Sequence, residues 1–117
     1  MGAVSTKFDY HVERVHGQEI QKPWLKLLHA VVQMRILMAL AYLQNEGRRV
    51  LPELDVPTSA GDWIVPDVTV ARIDANYGHG KLAVPAELAV EIMSPGQTIG
   101  QLFDKCELLH AAGTKHC

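Results

Sequence analysis

The sequence predicts a mixed α/β domain. Three observations carry that prediction: a long apolar helical stretch from Trp24 to about Glu46, strand-like segments at Arg49 to Val56, Trp63 to Arg72 and Ala86 to Met93, and an amphipathic helix from Thr98 to Ala112. At 117 residues the chain has the size of one domain with one modest core, and no stretch reads as a linker. Its 48% apolar and 21% charged composition is that of an ordinary globular protein, not a disordered or fibrous one. With 11 Lys+Arg against 13 Asp+Glu the formal charge is −2, so any binding of nucleic acid must use a local patch.

Taken in order, Tyr10 to Gln21 suits two short strands joined at His16-Gly17, where a tight turn needs glycine at positive φ. Pro23 permits a helix start, and Trp24 to Glu46 is rich in Leu, Met and Ala with no internal Gly or Pro, ending at Gly47. Apolar residues surround most of this helix from Met34 to Leu43, which predicts cover on more than one side, by a sheet and by a second layer or a dimer contact. Arg49 to Val56 and Trp63 to Arg72 flank the turn-forming segment Pro57 to Asp62 and read as an antiparallel pair. Asp74 to Val84 follows neither period and is a loop. The Ala86 to Met93 strand stops at Ser94-Pro95-Gly96. In the second helix Ile99, Leu102, Phe103, Cys106 and Leu109 form one apolar stripe, with Gly113 as its cap. Thr114 to Cys117 leave it in an extended direction, so the chain is expected to be a piece whose further strands lie beyond Cys117.

Cys106 and Cys117 have neither CxxC spacing nor matched histidine pairs, so free thiols are expected. Met1 to Tyr10 has no apolar core of signal-peptide length, and the expected location is a reducing cytoplasm. Leu25 to Leu43 is interrupted by Lys26, His29, Gln33 and Arg35, so a buried helix is expected there and no membrane span.

The chemistry is expected at two carboxylates. Strand alternation puts Asp67 with Trp63, Val65 and Thr69, and Glu91 with Ala89 and Met93. A carboxylate among apolar neighbours has to be compensated by pairing, hydrogen bonds or a metal. If the two strands are neighbours, Asp67 and Glu91 converge, and a hard divalent cation relieves their repulsion while keeping waters and substrate phosphates in its remaining positions, as phosphodiester hydrolysis requires. Lys105 flanks the second helix's apolar stripe, and its stem can lie along the core while its ammonium reaches the site. Each residue also has a plainer reading. Asp67 can be an exposed strand-edge acid, Glu91 the partner of Arg72 or Arg49, and Lys105 a solvated helix residue.

Together, Val50-Leu51-Pro52-Glu53-Leu54-Asp55-Val56, Val65-Pro66-Asp67-Val68-Thr69-Val70 and Leu88-Ala89-Val90-Glu91-Ile92-Met93-Ser94-Pro95 resemble the Uma-two family of restriction endonucleases, within the PD-(D/E)XK nuclease superfamily. The resemblance continues through Asp104-Lys105 and Ala111-Ala112-Gly113, and on the N-terminal side through Gly17, Lys22-Pro23 and His29. It implies a restriction-endonuclease-like fold, a Mg²⁺ (or Mn²⁺) cofactor held by Asp67 and Glu91, and DNA as substrate. The superfamily pattern places a lysine two residues after the glutamate, where this chain has Met93, and Lys105 on the following helix is the matching cation. The family also shows a glutamate directly after the hairpin glycine, whereas Gly17 is followed by Gln18 and then Glu19, a slip that reverses the face. Glu19 and His29 are therefore auxiliary candidates, and Lys22 and Lys26 candidate phosphate contacts. The expected function is a Mg²⁺-dependent DNA endonuclease. The competing reading is an inactive nucleic-acid-binding or regulatory module on the same fold, because fold does not fix function.

Overall fold

The computed structural model describes residues 11–22, 27–59 and 61–117, with the side chains of His11, Gln21 and Lys22 outside the description. Trp24 and Lys26 lie outside it too. The chain starts with an antiparallel hairpin, β1 (His11–Val15) and β2 (Gln18–Lys22). Its two-residue turn places both His16 (φ 51°) and Gly17 (φ 78°) in the left-handed region, the backbone hand that matches strand twist. Helix α1 (Leu27–Leu40) continues as a 3-10 segment, Ala41–Glu46, and stops at Gly47, whose left-handed conformation closes the helix as its position predicts.

The two expected strands that follow are each broken in two. One gives β3 (Arg48–Pro52) and β4 (Val56–Pro57), the other β5 (Trp63–Ile64) and β6 (Val68–Arg72). The breaks fall where Glu53 takes a left-handed backbone (φ 52°) and where Pro66 has no amide proton to donate. The antiparallel relation survives the break, but the halves enter different sheets. Among the described residues β2-β1-β5-β4 form a four-stranded sheet, and β3-β6-β7 a three-stranded one in which β7 is Leu88–Val90. The Ala86 to Met93 strand is thus shorter than expected. Helix α2 (Ile99–Ala111) follows, opened by a reciprocal capping box between Thr98 and Gln101.

Register decides what each face of the three-stranded sheet carries. Val70 of β6 pairs with Val50 and Leu88, and Val68 with Pro52 and Val90. These valines bury against Ile36, Leu37, Leu40 and Leu43 of α1 and its 3-10 extension. Thr69 and Ala71 point the other way, toward a core that includes Ala89, Ile64, Val56 and Leu109 of α2. The sheet is therefore covered on one side by α1 and on the other by α2. Helix α1 itself is covered on one side only. Its buried residues are His29 and Gln33, and its opposite face is solvent-exposed, so of the expected covers the sheet is the one formed within the chain. In α2 the expected stripe is buried at Leu109, while Ile99 and Phe103 are exposed.

The C-terminal residues turn back along β7, where His116 bridges Leu88 in parallel. That return brings Cys117 to Cys106, with Cα atoms 5.5 Å apart, and the two are joined in a disulfide. The expectation of two free thiols is thereby corrected. Their pairing depends on this tertiary return and not on any sequence spacing.

Candidate active site

One step beyond the Val68↔Val90 pair, Asp67 stands just before β6 and Glu91 just after β7, and alternation sends Glu91, like Ala89, to the α2 side of the sheet. The ladder changes there. The Asp67 amide donates to the Val90 carbonyl (3.0 Å), and the Ile92 amide donates to Asp67 Oδ2 (2.7 Å), a short charge-assisted bond that replaces a backbone partner with a carboxylate. Asp67 is 1% exposed, so the strand-edge reading does not hold, and its carboxylate lies against the residue immediately after Glu91.

Lys105 comes from α2, on the same side. Its Nζ is 2.8 Å from Glu13 Oε1 and 4.0 Å from Glu91 Oε1, with side-chain exposures of 12%, 2% and 3% for the three. It is an enclosed cation and not a solvated one. Arg72 is engaged by Asp74, so the lysine, not Arg72, faces Glu91. The other oxygen of Glu13 accepts the Val65 amide (3.0 Å), which ties β1 to the segment that leads into Asp67.

Helix α1 closes the site from the opposite direction. His29 Nε2 lies 3.3 Å from Asp67 Oδ1. Gln33 donates to the Asp67 carbonyl (2.7 Å) and to Glu53 Oε2 (3.1 Å), so one amide group holds two chain segments together. The structure thus pairs His29 with Asp67 and Lys105 with Glu91, and the Ile92 amide next to Glu91 donates to Asp67. It does not bring in Glu19, which is exposed and pairs in register with Arg14, on the hairpin face opposite Glu13. The phosphate-contact expectation at the Lys22 side chain and at Lys26 falls outside the described residues. Glu13 and Glu53 were not singled out from sequence. Glu13 had a signal, its alternation with apolar Val15 in a short strand; Glu53 had none, since its placement depends on a left-handed backbone.

Glu13 and Lys105 border a cavity of about 550 Å³ that His16, Gln18, Ile20 and Gln101 also line, a volume within the range of ligand pockets. His16 and Asp104 meet across its rim at 3.2 Å. Among the described residues, the enclosed carboxyl groups of Glu13 and Glu91 face the Lys105 ammonium, and that of Asp67 faces His29. Among the described residues no group of three or more His, Cys, Asp or Glu side chains is arranged to hold a metal ion. A closed zinc- or calcium-type cage is therefore not formed by them. Mg²⁺ is commonly held by one or two carboxylates and completes its shell with waters and substrate oxygens, so a carboxylate pair is what such an ion would require.

Comparison with known proteins agrees with this architecture. The chain is similar over 88% of its length to the crystal structure of "a putative nuclease belonging to DUF820" from Anabaena variabilis ATCC 29413, with a TM-score of 0.72 and 22% sequence identity. It spans 62% of that chain. At this identity the likeness is one of fold. No curated protein sequence matches. Residues 6–117 match the Uma2 family, described as "Putative restriction endonuclease". With the match extending over nearly the whole sequence, the chain belongs to the Uma2 family and carries its nuclease-type α/β fold.

Proposed function

We propose that this chain carries the site of a divalent-metal-dependent endonuclease that hydrolyses DNA phosphodiester bonds. The observation that supports this best is the enclosure of Lys105 between Glu13 and Glu91, the residue before the Ile92 amide that donates to Asp67. Asp67 and Glu91 would hold Mg²⁺ (or Mn²⁺), which when bound would polarise a phosphoryl oxygen and lower the pKa of a water.

The remaining work falls to the chain's own side chains. Glu13 fixes the Lys105 ammonium at 2.8 Å, so its charge is already oriented before substrate arrives. From there Lys105 stabilises the negative charge that develops on the phosphorus-bound oxygens and restrains the attacking water. The Ile92 amide holds one oxygen of Asp67, and His29 stands at the other, so that carboxylate cannot rotate away. Gln33 fixes the backbone beneath it. The cavity beside Lys105 gives the scissile strand access.

The test is cleavage of supercoiled plasmid and of labelled oligonucleotides with Mg²⁺ or Mn²⁺, comparing wild type with Asp67→Ala and with chelator present. The expected result is metal-dependent nicking that Asp67→Ala abolishes. Equal cutting by both proteins would remove this site from the reaction. Metal-independent DNA binding with no cutting by wild type would favour the non-catalytic module instead.

A further inference from the structure

The outward face of α1 is apolar and uncovered. Leu27, Leu28, Val31, Met34, Met38 and Tyr42 expose between 37% and 82% of their surfaces. Leu27, Val31, Met34 and Met38 recur at intervals of four, three and four, the spacing of a helix–helix seam, and Tyr42 continues it for another turn. Monomeric proteins rarely leave so large a continuous apolar patch in water. Scaled by side-chain size, these exposures amount to roughly 800 Å², about what each partner contributes to a standard-size protein interface.

The opposite side of the same helix limits what can cover this face. Ile36, Leu37, Leu40 and Leu43 pack on Val50, Val68 and Val70, while His29 and Gln33 reach Asp67. By length and composition the segment Leu27–Glu46 could cross a membrane. Insertion, however, would strip the sheet of its cover and leave buried polar groups in hydrocarbon. Lying flat on a membrane surface calls for a polar face rich in Lys and Arg. Arg35 is the sole Lys or Arg from Leu27 to Glu46. An almost uncharged stripe offers a charged partner little to recognise. It is complementary to itself, as the patch at a two-fold axis has to be.

We propose that two copies of this chain pair through the outward faces of α1, around Val31, Met34, Met38 and Tyr42, in an isologous homodimer. Each α1 then has a sheet on one side and its counterpart on the other. This requires nothing of the nuclease reading, and its test does not involve cleavage.

Sedimentation velocity and light scattering on the full chain, up to about 100 μM, would populate even a micromolar dimer. The expected mass is twice 12.9 kDa. Met34→Glu and Met38→Glu alter exposed positions, so the fold should survive, shown by unchanged far-UV circular dichroism, while self-association weakens by at least about tenfold. If a glutamate variant fails to fold, the Met34→Ala/Met38→Ala pair, which preserves helix propensity, gives the same reading: a weaker dimer supports the seam, an unchanged one overturns it. Wild type that stays monomeric at the highest concentration overturns it as well. So does a monomer that floats with phosphatidylcholine vesicles, which would assign the face to lipid.

Discussion

Replacing Lys105 with methionine keeps most of the side chain's volume and removes its charge, which isolates the electrostatic part of its role. With Nζ at 2.8 Å from Glu13 and 4.0 Å from Glu91, gross attractions at an effective dielectric of 20 are about 6 and about 4 kcal/mol. Desolvation of three enclosed ions offsets most of that in the intact protein. In Lys105→Met the enclosed Glu13 carboxylate loses the cation 2.8 Å from it, and breaking a buried pair from one side costs about 3 to 5 kcal/mol. That is a large share of a stability of about 5 to 15 kcal/mol. Urea unfolding followed by tryptophan fluorescence at pH 7 reads the loss directly. Adding Glu13→Gln should recover part of it, with a coupling of about 1 to 3 kcal/mol in the double-mutant cycle. A loss below about 1 kcal/mol, the range of an exposed pair, would refute the enclosure on which the proposed role of Lys105 rests.

Two further outcomes follow from single contacts. Gly113 has φ 113°, and a Cβ there would meet Pro85 Cγ at 2.9 Å, so Gly113→Ala should lower stability by more than about 1 kcal/mol in the same assay; a neutral result would mean that the turn after α2 can shift. The Tyr77 hydroxyl donates to the Arg72 carbonyl (2.8 Å), and burial raises its pKa, an effect that Arg49 partly opposes. The neutral phenol is thus the form the fold favours. Its contribution is complete below the ordinary tyrosine value of about 10 and is lost as pH rises through the higher folded value. Tyr77→Phe should cost about 1 kcal/mol at neutral pH and progressively less above about pH 10 in pH-dependent urea unfolding; a constant difference across that range would contradict it.

Local chemistry decided which elements the sequence revealed. The hairpin was marked by His16-Gly17, the end of the first helical segment by Gly47, and α2 by Thr98 and Gln101, all of them signals contained within a few residues. The faces of Asp67 and Glu91 were read from period-two alternation, a property of each strand alone, although the strands end one residue short of both. What could not be read depends on tertiary partners. The division into two sheets depends on Glu53 adopting a left-handed backbone and on where β5 finds β1, at Arg14↔Trp63. Glu13 becomes a site residue only when β1 crosses to the Val65 amide. The Cys106–Cys117 link needs the chain's return along β7. The apolar girth of α1 suggested burial, yet composition cannot say how many neighbours a helix has.

That the enclosed cation comes from α2, and not from a position two residues beyond Glu91, has a local cause. A lysine two residues beyond Glu91 would serve the site only if β7 continued, so that alternation returned position 93 to the side of Glu91. The strand ends at Val90, because Asp67 Oδ2 takes the Ile92 amide that a continuing ladder would have used. The chain then enters the Ser94 turn, in which Gln97 Oε1 accepts the Ser94 amide and hydroxyl, and Met93 is left 49% exposed. A cation at 93 would be half in water, and screening would leave it little of the effect of an enclosed charge. Lys105 instead lies two helical turns beyond the Thr98 cap, on a rigid element that packs at Leu109. It follows that Met93→Lys combined with Lys105→Met should restore neither the stability lost in Lys105→Met nor metal-dependent cleavage. Recovery of both would show that the segment after β7 can rejoin the sheet, and that the capture of the Ile92 amide by Asp67 is not what sets the position of the cation.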